Sequence, residues 1–360
     1  MSLLATNYLT PTGREEAWRF TPLKRLRGLH DGSVVVSDRT SLVSKDALPP
    51  GVTFVREELE AIAGSDDVII ERVRGLTRDV AHLTIAAHTQ LISPIFLGRS
   101  NGALDSAEFS RVRISLGIQA VATVVIENMG ETVLAEDLEI SLSPGSSLKF
   151  VTLQEFKSKS VYTARHHAIL DKDAAFKSIT VTVGGDVVRI LPTVEFIAPG
   201  GSAELLGIYF ATAGQFFEHR MHIDHAVPHA KSRVNFKGAL AGKDAHTVWI
   251  GDVLIRAVAE GTDTYELNRN LLLSDGARAD SVPNLEIETG EIIGAGHAST
   301  TGRFDDEQLF YLMSRGITLE DARRLVVRGF FNEILGEIGI EEIHNRLMDR
   351  IDGELEKSGA

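Results

Sequence analysis

Turn signals recur at a fixed interval through the middle of this chain, and that interval restricts the fold more than any other feature. Pro144-Gly145-Ser146-Ser147, Lys172-Asp173-Ala174-Ala175, Gly200-Gly201-Ser202-Ala203 and Pro228-His229-Ala230-Lys231 place corresponding positions at 145, 173, 201 and 229, always 28 apart. Each signal precedes an alternating or apolar run with strand character, such as Ser178–Val183. A period of 20–50 residues marks stacked supersecondary units, and strands without intervening helices point to a β-solenoid. The competing reading is an antiparallel sandwich whose turns happen to be evenly spaced. Beyond residue 230 the spacing drifts, through Lys243-Asp244-Ala245 and Asp275-Gly276-Ala277.

The flanks have a different texture, which divides the chain into an N-terminal helical region (1–95), a β core (96–300) and a C-terminal helical region (301–360). Thr21 before Pro22 resembles a helix N-cap with proline at the first helical position. Apolar spacings predict short helices over Arg56–Gly64 and within Ile70–Gln90. After Gly302, Asp305, Asp306 and Glu307 suit a helix N-terminus, Gly316 suits its end, and Thr318 with Asp321 suits the next cap. In that next helix Ala322, Leu325, Val326, Phe330 and Ile334 take one side and Val327, Phe331 and Leu335 another, so it must bury nearly two faces. Ile340, Ile343, Leu347, Ile351 and Leu355 then define a last amphipathic helix. These helices read either as a cap on the solenoid or as a surface that also docks a partner, with Val327, Phe330, Phe331 and Ile334 as the candidate docking residues.

Composition removes whole classes of function. The net charge is −13, which opposes binding to nucleic acid or to anionic membranes. There is no cysteine, so disulfides, thiolate nucleophiles and cysteine metal sites within the chain are excluded. Neither a signal peptide nor an apolar stretch of about 18 residues is present, and the expectation is a soluble, cytoplasmic protein.

Short catalytic motifs fail on inspection. Lys237–Asp244 resembles a phosphate-binding loop, but its first glycine is misplaced and Asp244 stands where Ser or Thr is required. Gly294–Ser299 lacks the third glycine of a dinucleotide fingerprint, and Leu272–Gly276 lacks the first glycine of a nucleophile elbow. His219, His222, His225 and His229 cluster with Asp224, but strand alternation puts 219 and 225 opposite 222 and 224. The readings are inert ladder histidines or a divalent site using His219 and His225. His297 lies among small residues between the last strand-like run and the C-terminal helices, where an imidazole can serve structure, bind iron or shuttle a proton.

Asn268-Arg-Asn-Leu-Leu-Leu-Ser-Asp-Gly-Ala-Arg-Ala-Asp-Ser-Val-Pro-Asn-Leu-Glu-Ile287 and the run from His297 to Ile317 closely resemble the signature of the SufB/SufD family of Fe–S cluster assembly proteins, and Glu16-Ala-Trp-Arg-Phe-Thr21 resembles the start of SufD-type members. The resemblance implies a right-handed parallel β-helix flanked by helical segments. It also implies a non-catalytic scaffold that pairs with a SufB-like paralogue and with a SufC-like ABC ATPase docked on the C-terminal helices. No cofactor is expected on the isolated chain, with an Fe–S cluster held transiently in the complex. His297 matches the family histidine at the cluster-building interface and is the candidate metal contact, shared with the partner. Ala295 stands where members often carry cysteine, and the complete lack of cysteine favours the SufD side of the family. A homodimer of the isolated chain is a further expectation. The alternatives from other classes are a β-helix carbohydrate-active enzyme using Asp224, His225 and Arg233, and a stand-alone metal-binding protein.

Overall fold

A computed structural model describes residues 9–58 and 65–358. Strands of mostly ten residues alternate between two sheets, so that each circuit of the chain adds one strand to each. Among the described residues the first sheet has ten strands and ends in Val187–Phe196, Phe216–His225, His246–Ile255 and Arg278–Ile287. The second has nine among the same residues and ends in Ser202–Ala211, Lys231–Leu240, Asp263–Leu272 and Gly294–Arg303. From Asp79 onward neighbouring strands pair in parallel, and the result is a parallel β-solenoid with helices at the termini. The antiparallel sandwich is thereby excluded.

The 28-residue spacing is the mean of an uneven coil. Paired residues of the second sheet are offset by 26 (Val121 to Ser147), 28 (Ser147 to Ala175), 27 (Ala175 to Ser202), 29 (Ser202 to Lys231) and 32 (Lys231 to Asp263). The regular signals mark one corner of the coil, where the chain turns through left-handed backbone at Gln119, Gly145, Asp173, Gly200, His229 and Gly261. At five of these the amide donates to a carbonyl one circuit further on, as from Gly145 to Lys172 (2.9 Å) and from His229 to Glu260 (2.7 Å). Asp, His and Gln tolerate this conformation less well than Gly, but short polar side chains are enriched there.

Alternation divides each strand between an interior and an exterior. Inward residues such as Leu138, Phe150, Ile190 and Phe236 form the core between the sheets. Both outer faces are covered. Trp18, Leu26, Leu29 and helix α1 (Val68–Leu76) pack on the first sheet. The second sheet carries α3 (Leu319–Ile338) and α4 (Glu341–Ser358), which follow α2 (Asp306–Ser314). Burying each large apolar side chain contributes roughly 1.5–3 kcal/mol, so these contacts fix where the helices sit.

Several local expectations change. Arg56–Glu58 belongs to the strand Val52–Glu58, and the rest of that expected helix, residues 59–64, lies outside the described residues. Within Ile70–Gln90 the helix ends at Leu76 and Asp79–Ile85 is a strand, because Asp79–Ile85 lies beside Ser106–Leu116 and takes a place in the first sheet. Thr21 makes no cap: its hydroxyl donates to the buried Glu218 (2.6 Å), and only a short 3-10 turn, Leu23–Arg25, follows Pro22. The C-terminal signals hold, with Thr318 accepting from the Asp321 amide (3.1 Å) and Gly316 in left-handed backbone.

Candidate functional site

The two last strands leave the solenoid uncovered at one end. Among the described residues Arg278–Ile287 pairs only with His246–Ile255, and Gly294–Arg303 only with Asp263–Leu272. On the preceding circuit the inward residues Trp249, Val253, Glu266 and Asn268 are fully buried. On the last circuit the equivalent positions are half-buried (Ala279, Ser281, Leu285, Ala295) or exposed (His297, Ser299, Thr301). A core that stops without a lid presents its interior and two strand edges to solvent. Exposed Ile287 and Ile293 border the same end.

His297 is exposed on the last strand at this end. It is the Cα partner of Glu266 in a parallel register, so the two side chains leave adjacent strands on the same face. Glu266 was not among the residues singled out from the sequence, since a lone Glu between Tyr265 and Leu267 carries no motif. It is 1% exposed, neither carboxyl oxygen has a hydrogen-bond partner among the described residues, and burial, with the charge of Asp252 adding to it, pushes its pKa up to about 8. Beside it the signature residues Asn268 and Asn270 form a closed network. Tyr209 Oη donates to Asn270 Oδ1 (2.7 Å), Asn268 Nδ2 to Tyr209 Oη (2.9 Å), Asn270 Nδ2 to Asn268 Oδ1 (2.7 Å), and Ser281 Oγ to Asn268 Oδ1 (2.6 Å). The Asn-Arg-Asn motif thus ties the penultimate circuit to the last one through the interior, while Arg269 points out to solvent.

The histidine cluster is dispersed. His219 faces the interior, bonded to Thr182 Oγ1 (3.1 Å) and stacked on Tyr209, and burial holds its pKa down at about 3. His225 also faces inward, bonded to Ser232 Oγ (2.9 Å) and stacked on Phe196. His222 is exposed on the outer face, and His229 is a corner residue. Among the described residues no three His, Asp or Glu side chains converge on a metal position. The carbohydrate-enzyme constellation is also separated. Asp224 lies on the outside of the first sheet, bonded to Arg256 (2.7 Å). His225 is inside, and Arg233 is on the outside of the second sheet, bonded to Asp263 (2.6 Å).

The expected docking residues need correction. Val327, Phe331 and Ile334 are at most 1% exposed and belong to the cluster between α3, α4 and the second sheet, and Phe330 is half-buried with Lys237 over its ring. The helix buries this stripe because the outer face of the second sheet is itself apolar, at Ile179, Val181, Ile208 and Phe210. The large apolar side chains left exposed on the C-terminal helices are Phe310, Tyr311, Met313, Leu319 and Leu325. Beside them a groove of about 430 Å³ opens between Asp305, Gln308, Tyr311, Leu312 and Val326. No helix among the described residues is long and apolar enough to cross a membrane.

Comparison with known proteins agrees with this architecture. Residues 96–330 match the family described as SUF system FeS cluster assembly, SufBD core domain. An iron-sulfur cluster assembly SufBD family protein of Mycobacterium tuberculosis is 47% identical over 357 residues, covering 96% of this chain and 89% of that protein. A second SufBD family protein of the same organism is 28% identical over 204 residues, covering 57% of this chain and 24% of the relative. The iron-sulfur cluster assembly protein SufD of Escherichia coli is 24% identical over 382 residues, covering 96% and 89%. With its solenoid, its signature at the open end and these matches, the chain belongs to the SufBD family of iron–sulfur cluster assembly proteins.

Proposed function

We propose that this chain is a SufD-like, non-catalytic scaffold subunit that works in the cytoplasm with a SufB-like paralogue and a SufC-like ABC ATPase. The observation that carries the reading is the uncovered last circuit of the solenoid with His297 exposed on its second strand. Strand edges and half-buried core residues favour pairing with another chain of the same architecture. That one organism holds two SufBD relatives of unequal length supports a paralogue as that chain, and a second copy of the protein itself is the competing occupant. The nascent Fe–S cluster is cargo in this reading. With no cysteine here, thiolate ligands come from the paralogue, and this chain contributes the His297 imidazole. ATP hydrolysis is assigned to the ATPase subunit, docked on the C-terminal helices through the exposed Phe310, Tyr311 and Leu325 rather than through the buried stripe of α3.

Affinity isolation of the tagged chain from its own cytoplasm without oxygen tests this, with wild type and His297→Ala compared. Both should capture the ATPase and the longer paralogue, and only wild type should bring iron and sulfide with them. Recovery of the chain alone, or as a homodimer, would overturn the reading.

A further inference from the structure

Arg111 is buried without a counter-ion of its own. It is 3% exposed on the outer face of the first sheet, in the strand Ser106–Leu116, and neither Nη1 nor Nη2 has a hydrogen-bond partner among the described residues. Carboxylates stand beside it: Asp137 is its Cα partner on the neighbouring strand, and Glu139 is the partner of Arg113. Their oxygens are already taken. Asp137 accepts from Arg74 Nε at Oδ2 (2.7 Å) and from Arg165 Nε at Oδ1 (2.8 Å), and Glu139 accepts from Arg74 Nη2 at Oε1 (3.3 Å) and from Arg113 Nη2 at Oε2 (3.3 Å). Glu71 acts on Arg74 from α1, but its carboxylate accepts from the Ser65 amide. His167, the partner of Glu139 on the other side, is held neutral by burial and the charge of Arg165, which push its pKa down to about 4. Four arginines therefore share these two carboxylates, and the most deeply buried of the four keeps both terminal nitrogens without an acceptor.

A buried guanidinium with no acceptor is expensive, and its planar fork of donors is matched to an oxyanion. Burial, with the charges of Arg74 and Arg113, pulls the Arg111 pKa below the ordinary arginine value in spite of Glu139 and Asp137. We infer that Arg111, with Arg74 and Arg113 beside it, forms a binding site for one small tetrahedral oxyanion of the phosphate class, on the outer face of the first sheet at the edge of α1. Arg74 reaches the site from α1, and the side chains of Arg113 and Glu139, 27% and 24% exposed, mark the way in from solvent. Forks that come from a strand and from a helix suit an ion with oxygens in four directions better than a planar carboxylate, and the burial of Arg111 favours a compact one. Asp137 and Glu139 hold the neighbouring arginines by hydrogen bonds, so the site selects a ligand that accepts from several N–H groups at once over a spherical ion such as chloride. It lies on the sheet opposite the one that carries α3 and α4, and the inference stands apart from the scaffold reading.

The test is equilibrium dialysis of the full chain against inorganic phosphate at fixed pH and ionic strength, with melting temperature measured on the same samples and glycerol phosphate as a second probe. Wild type should saturate at one phosphate per chain and melt several degrees higher when saturated, because a ligand that binds only the folded chain stabilises it. Arg111→Met should bind phosphate about tenfold more weakly or worse, since charge-assisted hydrogen bonds to the ion are lost, and should lose the phosphate-dependent rise in melting temperature. Without phosphate it should melt no lower than wild type, since an unpaired buried charge has been removed. If Arg111→Met fails to fold, Arg113→Gln at the partly exposed rim should weaken phosphate binding in the same direction. Saturation by inorganic phosphate alone supports a site for the free ion, and tighter saturation by glycerol phosphate supports one that takes the phosphoryl end of a small organic phosphate. No saturable binding by wild type overturns the inference, as does equal stabilisation of wild type and Arg111→Met, which is the general action of the salt.

Discussion

Phe331→Ala separates helix packing from partner docking. Phe331 is fully buried in the cluster that joins α3 and α4 to Ile179, Val181, Ile208 and Phe210 on the outside of the second sheet. Truncating such a ring loses its transfer free energy and leaves a cavity, about 3–5 kcal/mol in well-packed cores. The core between the sheets is a separate cluster, so this loss falls on the docking of residues 319–358 and leaves the solenoid intact. Polar ties oppose complete release: Lys237 to the Phe330 carbonyl (3.0 Å), Lys149 to the Glu337 carbonyl (3.1 Å), and Arg346 to Glu155 (2.8 Å). Hydrogen exchange should therefore show residues 319–358 losing protection in Phe331→Ala while strands such as Val161–Leu170 keep theirs. Leu325→Ala, at a position 49% exposed, should change stability by less than about 1 kcal/mol and instead weaken capture of the ATPase. The reasoning is refuted if Phe331→Ala keeps full protection and melting temperature yet loses the ATPase, because the ring would then face a partner.

Two further outcomes follow from the interior and the corners. His219 is buried neutral with its pKa near 3, below the ordinary 6.5, so the unfolded chain takes up this proton first as pH falls. Its contribution to stability is complete above pH 6.5 and is lost between 6.5 and about 3, up to roughly 5 kcal/mol at 1.36 kcal/mol per pH unit. Urea unfolding of His219→Gln across that window should show a flatter acid limb than wild type, and an identical limb would refute the buried neutral state. At Gly184 the backbone has φ +147°, and a Cβ would lie 2.1 Å from the Phe156 carbonyl oxygen, a backbone atom with no freedom to yield. Gly184→Ala should cost more than about 2 kcal/mol and lower the melting temperature by several degrees, and an unchanged melt would show that the corner is looser than described.

Much of this architecture was legible before any coordinates. The corner residues announced the coil because each circuit needs a left-handed or tight turn at the same place, and only a few residue types suit it. The caps at Thr318 and Gly316 and the stripe from Ile343 to Leu355 were readable for the same local reason. Residues 56–58 and 79–85 were misread because their pattern suits either element, and the sheet beside them decided. The docking stripe on α3 was misassigned because amphipathicity shows that a face is covered without showing what covers it.

His297 was legible through the signature around it, whereas Glu266 and Arg111 had no local mark. Each stands out only because burial leaves it without a hydrogen bond among the described residues, and the acids beside Arg111, 26 and 28 positions away along the chain, are spent on other arginines. Sequence alone determined the repeating strand and corner, the terminal helices, the lack of thiolates and the family, because those reside in local pattern and residue type. Tertiary structure alone decided which faces are covered, which end of the solenoid stays open and which buried carboxyl has no partner, because burial and hydrogen-bond satisfaction are properties of the packed chain and not of any segment within it.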